Sequence, residues 1–256
     1  EYGMDKPFIR KQDLFTQYGV AAAYQAIKQS GLASQGEGQN IDPFRLGVYF
    51  GSGIGGFATQ YREIAKMIED PSGQWISPLF IPTMISNIAA GHIAIMHHAE
   101  GPCLDIVTAC ATSTNAMGEA FRAIRNGYAD AIITGGCENA TIPIGIVGFA
   151  NAKALSRATD PKYASLPFNA NRAGFVMADG SAALVLEEYE HAKARGAQIL
   201  GEMVGYGNTC DAYHSTAPRP DGTTQAQRIQ HPPAQAGYNM AKDHLDTSVH
   251  GTGPKL

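Results

Sequence analysis

The chain has 256 residues, of which 44% are hydrophobic and 16% are charged, so it is long and apolar enough to bury a globular core. Its net charge of −4 comes without any run of Lys or Arg able to neutralise a phosphate backbone, which argues against a nucleic-acid partner. No segment approaches the roughly eighteen apolar residues of a membrane span, and residues 1–10 lack the apolar stretch of a signal peptide. The four cysteines form no C-x-x-C pair, so we expect a reduced, cytoplasmic protein.

The predicted elements alternate between helices and short apolar strands along the chain. Helical periodicity or helix-end signals predict helices over residues 13–30, 84–97, 108–126 and 189–195. A further helix is predicted from the end of the Gly-rich turn at residues 51–56 to residue 69. Apolar runs predict strands over residues 46–50, 103–107, 131–134, 182–186 and 199–206. Gly135-Gly136 is expected to stop the third of these strands. This alternation predicts an α/β fold with sheets covered by helices on both faces.

The turn at residues 51–56 satisfies G-x-G-x-x-G between a strand and a helix. That order suits a dinucleotide site, with the pyrophosphate at the helix N-terminus. A dinucleotide fold also needs a second strand that ends in an acidic residue about 20 positions later. Here residues 70–75 form a loop with no apolar run before it. We therefore favour a tight structural turn and keep a dinucleotide-binding oxidoreductase as an alternative.

The window 105–118, DIVTACATSTNAMG, predicts a cysteine at a strand-to-helix turn. Helix-start amides and the positive end of the helix dipole would stabilise a thiolate at Cys110. The small neighbours Ala109 and Ala111 leave room for a bulky thioester, and the hydroxyl residues 112–114 are expected to cap the helix. On these residues alone, a reactive nucleophile and a structural cysteine both remain open for Cys110. Cys103, Cys137 and Cys210 are expected to pack in the core as small hydrophobic residues.

The segment TACATS around Cys110 closely resembles the active-site elbow of the β-ketoacyl-[acyl-carrier-protein] synthases, the elongating condensing enzymes of fatty acid synthesis. The resemblance covers nearly everything from residue 13 to residue 222 and is collinear. The matching segments are 51–56, 86–87, 90–92, 101–102, 108–113, 130–136, 154–156, 172–175, 179–180, 185–193 and 211–214. This set assigns the Gly-rich turn to a structural and pocket role.

The resemblance implies a thiolase-like layered α-β-α-β-α fold, usually paired as a homodimer. The chain would supply the first half, residues 1–207, and the start of the second half, residues 208–256. The implied reaction is a decarboxylative condensation of an acyl-cysteine with a malonyl group, both delivered by acyl carrier protein. No cofactor and no metal are implied, because the pantetheine arrives on the carrier protein.

Matching positions then carry the family's roles. Cys110 would be the nucleophile, and His250 in the segment HGTGP would be the first of two histidines that assist loss of CO₂. The resemblance also implies acyl-pocket or gate residues at Ile54, Phe80 and Phe149, and pantetheine contacts at Thr216 and Thr252. The histidines at 92, 97 and 98 lie at no metal-ligand spacing and are expected to be structural.

Three departures from the family pattern affect these expectations. Pro254 replaces the second threonine of H-G-T-x-T, and the residues before His250 are too polar for the strand expected there. The second histidine and the lysine near it are absent from the 256 residues. We therefore expect a fragment that cannot condense by itself. A non-catalytic chain-length partner and an enzyme acting on coenzyme A esters remain as alternatives.

Overall fold

The structure, a computed structural model, describes residues 2–235. It forms two compact units along the chain. The first unit comprises Glu1–Gly148 and Met177–Ile199, and the second comprises Phe149–Val176 and Leu200–Leu256. The predicted boundary at residue 207 concerns the two halves of a thiolase fold, and it stays a prediction.

Helices supply most of the regular structure. They are α1 Lys6–Lys11, α2 Leu14–Ser30, α3 Phe57–Glu69, α4 Phe80–Met84, α5 Ile88–His97, α6 Thr112–Arg125, α7 Pro143–Asn151, α8 Tyr189–Ala194 and α9 Thr223–Gln235. The strands are β1 Leu46–Gly51, β2 Cys103–Leu104, β3 Ala131–Glu138 and β4 Gly180–Glu187. Within residues 2–235, no helix is both long and apolar enough to cross a lipid bilayer.

The described residues contain a four-stranded sheet in the order β2-β1-β3-β4. β1 runs parallel to β2 and β3, whereas β4 is antiparallel to β3. The β1–β3 register pairs Leu46 with Ala131 and, at the other end, Gly51 with Gly136. Because the parallel strands end together, their carboxyl-terminal residues share one edge of the sheet.

Alternate residues of the strands enter two hydrophobic clusters. Val48 and Phe50 of β1 belong to a cluster that includes residues of α2 and α5. Tyr49 belongs to a second cluster, with Ala120 and Ala123 of α6. This two-residue alternation places the sheet between helices on both faces, which confirms the predicted α/β layering.

Asp13 fixes the starts of two helices. Its carboxylate accepts hydrogen bonds from the Phe15 N–H at 3.4 Å, in α2, and from the Thr59 N–H at 2.9 Å, in α3. The C-terminus of α2 ends on Gly31, whose φ of 66° is the left-handed conformation that glycine adopts most easily. The predicted ends of this helix are confirmed.

Two predicted strands have the wrong bounds, and a third predicted strand does not form. β2 is only two residues long, and β3 continues through Gly135-Gly136 to Glu138. The glycine pair does not stop the strand, because the absence of side chains there allows close approach of neighbouring residues. Residues 199–206 form no strand, since none of the described strands pairs with them. An apolar pattern alone is not enough, because a β-strand also needs a neighbouring strand with which to form backbone hydrogen bonds.

The second unit contains few regular elements in its described part. Leu155 and Phe175 form an isolated parallel bridge. The rings of Phe149 and Phe175 meet edge to face with centroids 5.3 Å apart. Farther along, Asp211 accepts a hydrogen bond from the Arg219 N–H at 2.8 Å. These contacts join residues that lie within about 30 positions of one another.

Candidate active site

Cys110 lies in a turn between β2 and α6, at the carboxyl edge of the sheet. The turn is a 3₁₀ helix, Ala109–Ala111, that leads directly into α6. Ala109 has φ of 51°, a left-handed conformation that is uncommon for a residue with a side chain. Cys110 is exposed, and the sequence-based prediction of a cysteine at a strand-to-helix turn agrees with this position.

Hydrogen bonds across the turn join the residue before it, Thr108, to the first residues of α6. The Thr112 hydroxyl accepts a hydrogen bond from the Thr108 N–H at 2.9 Å, and Asn115 Nδ2 donates to the Thr108 hydroxyl at 2.8 Å. The N-cap of α6 is Ala111, which has no side chain able to bond the first amides. The expected capping by residues 112–114 is therefore wrong, because the Thr112 hydroxyl closes the turn instead.

Two paired glycines on neighbouring strands, Gly51 and Gly136, make room for this turn. A Cβ atom on Gly51 would overlap the Ile106 carbonyl oxygen and the Thr112 methyl group. A Cβ atom on Gly136 would lie 2.9 Å from Ser113 Oγ, closer than real Cβ atoms come to other heavy atoms. The sheet edge thus contacts both the segment that enters the cysteine turn, at Ile106, and the start of α6.

The Gly-rich turn after β1 packs beside the same site. The Ser52 hydroxyl accepts a hydrogen bond from the Gly55 N–H at 2.9 Å, and Gly55 has φ of 77°. The Gly56 N–H donates to the Met84 carbonyl at 2.9 Å, which ties the turn to the end of α4. Ile54 therefore lies on a turn fixed from both sides, with its side chain 38% exposed.

Phe80 begins α4, and a buried ion-pair cluster holds the loop before it. Glu63, only 2% exposed, pairs with Lys66 at 2.8 Å and with Arg62 at 3.1 Å. Its carboxylate also accepts a hydrogen bond from the Ser77 N–H at 2.9 Å. Burial alone would raise the pKa of Glu63, but these bonds outweigh burial and lower it to about 2.

Glu138, which the sequence analysis did not single out, ends β3 next to the Gly-rich turn. Its two oxygens accept hydrogen bonds from the Gly53 N–H at 2.8 Å and the Ser52 hydroxyl at 3.1 Å. Burial raises the pKa of this carboxyl despite these bonds. A charged residue at the end of a buried strand, at the carboxyl edge of parallel strands, was a usable signal.

Asp105 approaches the Gly-rich turn from the segment before the cysteine turn. It hydrogen-bonds the Ser86 side chain and the Ser52 backbone, while its Oδ1 is buried without a partner. Burial raises the pKa of Asp105 above its usual value. Two partly buried carboxylates, Asp105 and Glu138, therefore both contact Ser52.

The remaining predicted residues fall elsewhere. Phe149 and Thr216 lie in the second unit, where Phe149 contacts Phe175 and the exposed Thr216 bonds His214 Nδ1 through its N–H at 3.1 Å. His250 and Thr252 lie outside the described residues. The first unit thus contains Cys110, Ile54 and Phe80.

The other three cysteines differ in environment from one another. Cys137 is buried, and burial raises the pKa of its thiol, so it behaves as the small apolar residue that was expected. Cys103 and Cys210 are exposed, so the expectation that they pack in the core is wrong. Among the exposed cysteines, Cys110 alone adjoins the start of a helix of eight or more residues.

Comparison with known proteins identifies the family. The family model described as the β-ketoacyl synthase N-terminal domain matches residues 3–192. The chain belongs to the β-ketoacyl synthase family. Membership agrees with the resemblance seen in the sequence and gives no support to the dinucleotide-binding alternative.

Curated relatives within the β-ketoacyl synthases share nearly half of the residues. The chain is 45% identical to 3-oxoacyl-[acyl-carrier-protein] synthase 2 of Vibrio cholerae, over 98% of this chain and 60% of that relative. It is 47% identical to the protein of the same name from Synechocystis, over 88% of this chain and 53% of that relative. The chain thus spans about three fifths or less of the length of these relatives.

Solved structures of β-ketoacyl synthases share the fold. A ketosynthase bound to a hexaketide, in complex with its type II polyketide acyl-carrier protein, superposes with a TM-score of 0.82 at 30% identity. That match covers 90% of this chain and 57% of the other. A β-ketoacyl synthase from Burkholderia phymatum gives 0.80 at 30% identity, covering 91% and 56%. The predicted thiolase-like fold class is confirmed.

Proposed function

We propose that this β-ketoacyl synthase chain accepts an acyl group on Cys110 from acyl carrier protein, the first step of fatty-acid elongation. The observation that carries the proposal is the position of Cys110. Its exposed thiol lies at the start of α6, in a turn that Gly51 and Gly136 hold against the sheet edge. Curated relatives with 44–47% identity are named as 3-oxoacyl-[acyl-carrier-protein] synthases.

The chemistry of loading suits this geometry. The Cys110 thiolate would attack the carbonyl carbon of the acyl thioester, forming a new C–S bond as the pantetheine thiolate leaves and takes up a proton. No side chain caps the start of α6, and the positive end of its dipole would stabilise negative charge near the sulfur. Ile54 and Phe80 would line the path of the acyl chain.

Condensation is the second part of the proposal and depends on family membership. An enolate formed when malonyl-carrier protein loses CO₂ would attack the acyl carbon and form a carbon–carbon bond, while the bond from that carbon to the Cys110 sulfur breaks and the cysteine thiolate leaves. His250 would donate a hydrogen bond to the malonyl thioester oxygen as charge develops there. Thr216 and Thr252 would contact the pantetheine, and Phe149 would border the acyl pocket.

Loading has a direct test. The chain is mixed with octanoyl-carrier protein, and intact mass is measured with time. We expect one octanoyl adduct in the native chain and none in Cys110→Ala, with the adduct mapped to Cys110 by peptide mass. Cys210, which is also exposed, provides a matched control as Cys210→Ala, which should load normally. No adduct on the native chain, or an adduct on Cys210, would refute the proposal.

We also propose a cytoplasmic homodimer. β2 lies at the edge of the sheet, its Leu104 is 49% exposed, and Val107 in the segment after it is 51% exposed. An exposed apolar edge strand favours pairing with another chain. Four cysteines without disulfides fit a reducing compartment. Sedimentation of the chain and of Leu104→Lys tests this, since the charge should shift a dimer towards monomer.

A further inference from the structure

Glu138 carries a charge where the fold alone does not require one. Its oxygens accept hydrogen bonds from the Gly53 amide and the Ser52 hydroxyl. Within residues 2–235, no Lys, Arg or His forms an ion pair with it. A partly buried carboxylate without a cation is unfavourable for stability. An amide of the same shape would avoid that penalty, but its single acceptor oxygen could not replace both carboxylate oxygens as acceptors.

The carboxylate, the Gly-rich turn and the cysteine turn meet at Gly53. A Cβ atom on Gly53 would lie 2.7 Å from Glu138 Oε2, and 3.6 Å from the Ala109 carbonyl oxygen. Ile54 is the next residue along the chain. The distance between Ile54 and the cysteine turn therefore depends on the hydrogen bonds that Glu138 makes with Ser52 and Gly53.

We propose that Glu138 is a positioning residue, whose carboxylate holds the Gly-rich turn at the spacing from Cys110 that admits an acyl chain. Glu138 would act through the turn and contact no reacting atom. The inference rests on the proposed function, because it takes Ile54 to border the path of the acyl chain. It predicts that Glu138 controls how well long apolar groups reach Cys110, and has little effect on small ones.

Other titratable groups face the same turn. Asp105 bonds the Ser52 backbone and the Ser86 side chain, and the buried Cys137 thiol feels the charge of both carboxylates. Burial raises the pKa of both Asp105 and Glu138, so each carboxylate takes up its proton above its ordinary range. The pKa of Cys137 is also raised, so this thiol stays neutral. The test must therefore separate Glu138 from Asp105.

Two alkylating reagents that differ only in length provide the measurement. The 256-residue chain is treated with iodoacetamide or with N-dodecyl iodoacetamide, and the rate at each cysteine is read by peptide mass spectrometry. The exposed Cys103 and Cys210 serve as internal references in the same molecule. Both reagents require the same thiolate, so the ratio of the long-reagent rate to the short-reagent rate at Cys110 cancels changes in sulfur protonation.

We expect Glu138→Gln and Ser52→Ala each to lower this ratio at Cys110 on the order of tenfold, as loss of a hydrogen bond to a charged group does. The double variant should lower the ratio by less than the product of the two single effects, because each single variant already loses the Ser52–Glu138 hydrogen bond. Glu187→Gln is the matched control. Glu187 pairs with Ala131 at the opposite end of β3, about 23 Å away by strand rise. It should leave the ratio unchanged even where it lowers thermal stability.

The pH profile separates positioning from a purely structural role. In the native chain the ratio should fall as the pH falls through the pKa of Glu138, because the charged acceptor is lost. This fall of the ratio at low pH, the acid limb of the profile, should disappear in Glu138→Gln and persist in Asp105→Asn. An unchanged ratio in both Glu138→Gln and Ser52→Ala, or an acid limb that survives in Glu138→Gln, would overturn the inference. Failure of octanoyl loading would instead refute the proposed function, since the alkylation ratio needs no carrier protein.

Discussion

Cys110 in the first unit is placed by a sheet edge, whereas Thr216 in the second unit depends on neighbours close in sequence. The cysteine turn packs on Gly51, which is 59 positions earlier in the chain, and on Gly136. Thr216 bonds His214 only two residues away. The comparison indicates that Cys110 is positioned by long-range packing, and Thr216 by local geometry. Substitutions should therefore propagate in the first unit and stay local in the second.

The largest effect should come from a methyl group at the sheet edge. Gly51→Ala places a Cβ against the Ile106 carbonyl and the Thr112 methyl group, so we expect a loss of about 3 kcal/mol of unfolding free energy. Octanoyl loading should fall with it. Gly201→Ala, in the second unit, meets nothing within 4 Å and should change neither. Equal stability of the two variants by urea unfolding would contradict the comparison.

Glu63→Gln tests the ion-pair cluster that holds the loop before Phe80. The folded pKa of Glu63, about 2, is below its ordinary 4.5, so its stabilising contribution is present above pH 4.5 and is lost as the pH falls towards 2. At pH 7 we expect the variant to be less stable by about 2 kcal/mol. The difference from the native chain should shrink between pH 4.5 and 2 in urea titrations. A constant difference across that range would rule out Glu63 as the group responsible.

His97 gives a smaller effect at milder pH. Burial, together with the charge of His98, lowers its pKa from 6.5 to about 4 in the folded chain. The unfolded chain therefore takes up the proton first, so stability is highest above pH 6.5 and declines as the pH falls towards 4. The slope from this group is at most about 1.4 kcal/mol per pH unit. His97→Leu should flatten the profile of unfolding free energy, and an unchanged slope would exclude this histidine.

The smallest effect should come from Thr216. Its side chain is exposed and its hydrogen bonds are local, so Thr216→Ala should change the unfolding free energy by less than about 0.5 kcal/mol. Iodoacetamide alkylation of Cys110 should also stay the same. If Thr216 contacts pantetheine as proposed, loading from octanoyl-carrier protein should still slow. Loading at the native rate would remove Thr216 from the proposed site.

The sequence predicted those features of the fold that depend on local pattern. Periodicity and the Gly31 cap gave the bounds of α2, and the apolar run gave β1 nearly in full. Residues 199–206 had a comparable apolar pattern but formed no strand, because a ladder depends on a partner that composition does not reveal. The course of β3 through Gly135-Gly136 likewise depends on how closely neighbouring residues approach.

The candidate site was predicted to a similar degree. The order of motifs placed Cys110 in its turn, and the family resemblance indicated Ile54 and Phe80. Glu138 was missed because the predicted strand ended at residue 134, so Glu138 did not stand at a strand end, and because its contacts are with residues 85 and 86 positions earlier, which periodicity cannot detect. The Thr112 hydroxyl was assigned to capping, although in the structure it bonds the Thr108 amide. Sequence rules assign a hydroxyl residue at a helix start to capping, but here the Thr112 hydroxyl closes the cysteine turn instead.

The left-handed backbone of Ala109 has a consequence for selection in the laboratory. An alanine at φ of 51° is less favourable by about 1–2 kcal/mol than a residue without this steric conflict. A screen that rewards heat resistance alone would therefore enrich glycine at position 109, next to Cys110. Glycine would also widen the range of backbone angles available to the turn. Libraries designed to raise the thermal stability of this protein should keep position 109 fixed, or should measure thioester loading as well as resistance to heating.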